Sequence, residues 1–145
     1  MKVVHHAHAS RRGASFHMLC MLAPSFAYQH HGRLSVPRTN GIAVGVRDVA
    51  LFAGGYTDSA GKNKSAVVDI YNATADSWSV TNMTTGRTLF AGTGIDDLAW
   101  FGCGETDSVQ SETDSVDVWS ASSGQWLPPS FARLSQARKK CSAAS

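Results

Sequence analysis

Short apolar runs, separated by turns, organise the chain from residue 34 onward. Residues 41–46 are small and apolar, and Arg47-Asp48 follows as a polar turn. Residues 49–53 form a continuous apolar run closed by Gly54-Gly55. The same order returns later. Residues 90–95 lead into Asp96-Asp97, and the run 98–102 is closed by Cys103-Gly104. Runs of this length bounded by turn residues predict strands. Residues 67–71 and 116–119 predict a third strand in each copy. Residues 77–81 and 125–127 predict a fourth, each with a tryptophan near its start. No long segment carries a clean helical period, so almost no helix is expected.

The two copies align residue by residue. At an offset of 49, Arg38, Thr39, Gly45, Asp48, Ala50, Phe52 and Gly55 match Arg87, Thr88, Gly94, Asp97, Ala99, Phe101 and Gly104. At an offset of 48, Val68, Asp69, Ala73 and Trp78 match Val116, Asp117, Ala121 and Trp126. Leu34-x3-Arg38 and Met83-x3-Arg87 are echoed by Leu134-x3-Arg138, the opening of a third copy.

A period near 50, four strands per copy, a glycine pair after the second strand and a tryptophan in the fourth resemble the kelch repeat. The residues that carry the resemblance are Arg38, Gly54, Gly55, Tyr71, Trp78, Met83 and Arg87 in the first copy. In the second they are Arg87, Gly104, Trp119, Trp126 and Arg138. The resemblance implies an all-β fold, a partial kelch-type β-propeller of two four-stranded antiparallel blades at about 38–83 and 87–133. Trp78 and Trp126 are then expected between adjacent blades, and Arg38 and Arg87 as anchors to backbone carbonyls. The second copy departs from the pattern at Cys103, where the first copy has Gly54, and cysteine disfavours positive φ. Propellers close with about four to eight blades. Two blades are therefore expected to be a portion of a larger propeller, the alternative being a homo-oligomer that closes a ring from two-blade units, and the exposed faces are expected to be prone to self-association.

The first 33 residues differ in kind. They hold four cations, no acid and all six histidines. We read them as an unstructured leader. The alternative is a secretory signal, with the apolar run 16–23 and a cleavage site after Ala27. Histidines on a flexible tail have no preorganised geometry for a metal. Residues 34–132 carry five cations and eleven acids, and residues 133–145 add four cations. An acidic body between basic ends does not fit a nucleic-acid-binding face. No apolar run is long enough for a membrane-spanning helix. Cys20, Cys103 and Cys141 fit neither a disulfide framework nor a zinc site. Free Cys103 and Cys141 would suit a reducing compartment such as the cytoplasm.

Residues 34–145 contain no histidine, so no histidine-based triad or copper site can be assembled there. No catalytic, cofactor or metal residue is assigned. The function expected is protein binding through the acidic loops that carry Asp58, Glu105, Asp107, Glu112 and Asp114. The alternative is a portion of a secreted propeller enzyme or carbohydrate-binding protein of the galactose-oxidase-like superfamily.

Overall fold

The computed structural model describes residues 32–107 and 111–144. The sequence-based reading of the leader, with its histidines, Cys20 and the signal alternative, lies outside the described residues, Gly32 and Arg33 apart. The described part of Leu34–Ser145 is all-β, without a helix.

The first sheet contains β1 (Ile42–Val46), β2 (Val49–Ala53), β3 (Val67–Asn72) and β4 (Ser77–Asn82), in sequence order and antiparallel throughout. After the short β5 (Arg87–Thr88), the second sheet repeats that order. Its strands are β6 (Ala91–Ile95), β7 (Leu98–Gly102), β9 (Thr113–Ser120) and β10 (Gln125–Trp126). β8 (Glu105–Thr106) pairs with β5, and β11 (Arg133–Arg138) pairs with β9. The copies agree in detail. Arg47 and Asp96 turn their hairpins at φ 52° and 53°. The amides of Ala73 and Ala121 donate to the carbonyls of Asp48 and Asp97 at 2.8 and 2.9 Å.

Alternation in β1 and β2 sends Val44, Val46, Leu51 and Ala53 to one face, where they are buried. That face packs on the second sheet, whose Ala99, Phe101 and Trp119 are also buried. Glycine permits the close approach. A Cβ on Gly94 would lie 2.2 Å from the Gly45 carbonyl oxygen, and one on Gly92 would lie 2.7 Å from Val44. Such contacts are where strand glycines belong.

Three expectations need correction. Trp78 does not fill an interior gap. It is 41% exposed and packs only on Phe52 and Tyr71 of its own sheet, at 5.9 and 5.1 Å between ring centroids. The reason is positional: among the described residues, no sheet covers its face. Its counterpart Trp126 is partly buried against the core, 6.1 Å from the Phe101 ring, and its Nε1 donates to Thr81 of β4 at 2.9 Å. Next, Cys103 does adopt positive φ, 58° beside 63° at Gly54, so the turn is kept despite the side chain. Finally, Cys103 and Cys141 are not free. They form a disulfide with a Cα–Cα distance of 6.7 Å, which removes the argument from unpaired thiols for a reducing compartment.

Trp126→Ala should cost about 3 kcal/mol, and Trp78→Ala less than about 1.5 kcal/mol. Urea midpoints of the two variants check this. The reverse order would contradict the packing described.

Candidate binding site at the loop end

The turns after β2 and β7, the linkers that open each copy and the tail after β11 gather at one end of the sheets. Two buried Arg–Asp pairs fix the linkers. Arg87 is 0% exposed and pairs with Asp117, and it donates to the carbonyls of Cys103 and Ser115 at 3.2 and 3.0 Å. Arg38 pairs with Asp69 at 2.5 Å and donates to the Phe52 carbonyl at 2.8 Å. Burial lowers the Arg87 pKa, and the charge of Asp117 opposes that shift. Burial pushes the Asp69 carboxyl upward, but the Ser35 amide and hydroxyl and the Arg38 guanidinium hold it below the ordinary 3.8.

The glycine positions close the turns. Gly54 at φ 63° lies against the Arg87 carbonyl and Phe90, and Gly55 at φ 98° against the Thr39 carbonyl. Gly104 at φ 114° lies against Thr88 and Phe90. Met83 is buried where the linker leaves β4, and its amide donates to Ala66. Arg138 starts the third copy. Its carbonyl accepts from the Gly104 amide, as that of Arg87 accepts from Gly55. Its side chain is exposed and forms no ion pair among the described residues.

A charge cluster that the sequence did not flag ties three segments together. Lys64, from the β2–β3 loop, is buried and lies 3.3 Å from Glu105 and 3.5 Å from Asp107. Its ammonium also lies 5.6 Å from the Tyr56 ring centroid. Lys139 of the tail reaches Glu105 at 2.9 Å. The bond from Lys139, and then that from Lys64, hold the Glu105 carboxyl below the ordinary 4.5. The same bond to Glu105 raises the Lys139 pKa. A carboxylate saturated by two ammonium groups is a poor general base near neutral pH.

The acidic loops therefore divide by role. Glu105 is interior, Asp114 pairs with Arg133 at 2.7 Å, and Asp58 accepts from the amides of Lys62 and Asn63. Asp107 has a half-exposed side chain whose carboxylate accepts from the Lys64 amide, and Glu112 is exposed. A groove of about 610 Å³ is lined by Pro37, Thr39, Asn40, Tyr56 and Asp58 among others. Among the described residues, no group of three His, Cys, Asp or Glu side chains could hold a metal.

No family model matches the chain, and no curated protein matches it. Among solved structures, it is similar to the structure of YjhT, with a TM-score of 0.61 and 14% identity. The match covers 76% of this chain and 36% of that one, so the chain spans about a third of its structural neighbour. The likeness is one of fold.

Glu105 and Asp69 have depressed folded-state pKa values. Their contribution to stability is complete above their unfolded values and is lost as pH falls through the folded ones. Stability should hold from about pH 7 to about pH 5 and fall steeply below about pH 4. Glu105→Gln should lower stability at neutral pH and flatten the acid limb. Denaturant midpoints across pH check this, and parallel curves for the two proteins would contradict it.

Proposed function

We propose that the two sheets are blades of a kelch-like β-propeller and that the chain is a protein-interaction module, with no catalytic site of its own. The observation that carries this reading is the clamp of Lys64, Glu105 and Lys139. It ties the β2–β3 loop, Glu105 and the tail together, beside the half-exposed Asp107 and the exposed Glu112. A loop surface ordered in advance loses less entropy on binding. Exposed carboxylates steer a basic partner and set the salt dependence of its capture. The resemblance of Arg38, Gly54-Gly55, Tyr71 and Trp78 to the kelch pattern supports the same reading.

The test pairs Asp107→Asn, which keeps an acceptor for the Lys64 amide, with Glu112→Lys at an exposed position. Proximity capture from cells should recover a protein with the unmodified chain and about tenfold less of it with the double variant. The thermal midpoint should be nearly unchanged. Equal recovery by both would refute binding through this end.

A further inference from the structure

The repeat supplies a template for judging the two outer faces. Inside the chain, the β1–β2 face bearing Val44, Val46 and Leu51 packs on the β6–β7 face bearing Gly94, Ala99 and Phe101. Each of these faces has a less covered counterpart in the other copy, although Phe131 packs on Trp100 of the second at 5.8 Å and the tail lines its edge. On the first sheet, the counterparts of Gly94, Ala99 and Phe101 are Gly45, Ala50 and Phe52. Ala99 and Phe101 are 0% exposed, whereas Ala50 and Phe52 are only half-buried. On the second sheet, the counterparts of Val44, Val46 and Leu51 are Thr93, Ile95 and Trp100. Val46 is 5% exposed and Ile95 49%. A groove of about 440 Å³ runs along this second face, with Thr93, Ile95, Trp100 and Leu134 in its lining.

Gly45 adds an independent sign. A Cβ there would meet nothing within 4 Å, and its φ is not positive. Nothing inside the chain requires glycine at this strand position, where glycine weakens pairing. Its counterpart Gly94 is glycine because a backbone carbonyl presses against it.

We propose that copies of this chain associate head to tail, the less covered second-sheet face of one seating on the less covered first-sheet face of the next. The contact repeats the internal one, with Gly45 of the incoming copy against the Gly94 carbonyl of the receiving copy. It is heterologous, so it continues until a ring closes. Three copies give six sheets, within the range of about four to eight in which propellers close. Residues 34–38 of the incoming copy and 134–138 of the receiving one are the same piece of the repeat. The tail keeps the place, because Cys141 and Lys139 tie it down, and Arg138 takes over Asp69 from the displaced Arg38. This goes beyond binding at the loop end and does not depend on it.

The test uses two substitutions at positions open in the single chain, Gly45→Val and Ile95→Glu. Sedimentation of the unmodified full chain across a concentration series should show a shift from monomer toward trimer. Each variant alone should remain monomeric. An equimolar mixture should form a 1:1 dimer and stop there, because one intact face of each kind remains. Cooperative thermal unfolding of both variants verifies that they fold, and Gly45→Val should be no less stable than the unmodified chain. An unmodified chain that is monomeric throughout overturns the proposal. So does self-association of either variant alone, which an isologous contact would give, or a mixture that does not pair.

Discussion

The ion pair of Arg87 with Asp117 fixes the linker between the two sheets onto the second sheet. Arg87 belongs to the linker, yet it is fully buried and reaches the carbonyls of Cys103 and, on the strand of Asp117, Ser115. Isolated charges in such a place would cost several kcal/mol each, so the linker can enter only with its carboxylate partner in position. Once it is there, the Arg87 carbonyl accepts from Gly55, Met83 is drawn inward and β6 begins against β1. The linker is thereby held on both copies, by the Arg87 side chain on β9 and by its backbone on Gly55 and Ser65.

The same geometry divides the molecule into an interior and two unfinished surfaces. Where one copy faces the other, small residues and rings interlock and water is excluded. Where a copy faces outward, the corresponding positions stand partly or fully exposed. Trp78 and Trp126 show the difference, since they hold the same place in the repeat and, among the described residues, only one has a sheet across from it. Burial here is a property of the neighbour rather than of the residue.

Much of the fold was legible in the sequence because the signals are local. Apolar runs of five, paired turn residues and an internal offset of 49 locate eight strands in the order observed. What was not legible depends on distance in space. Cys103 and Cys141 are 38 residues apart and carry no spacing signal, so their bridge is visible only once the tail returns along β9. Lys64 and Glu105 look like solvated loop charges, and only the meeting of two loops with the tail makes them interior. The kinship of Lys139 with the site was hidden in what read as a basic terminus. Of the candidate site, the half-exposed Asp107 and the exposed Glu112 were foreseen, and the buried clamp beside them was not.

The most direct measurement is a double-mutant cycle on Arg87 and Asp117. Arg87→Met and Asp117→Leu should each cost about 3–5 kcal/mol, because each leaves a buried charge unpaired. Together they should cost far less than the sum, with a coupling above about 2 kcal/mol in denaturant unfolding. Additive losses, with a coupling below about 0.5 kcal/mol, would show that the two side chains do not depend on each other and that the linker is held by something else.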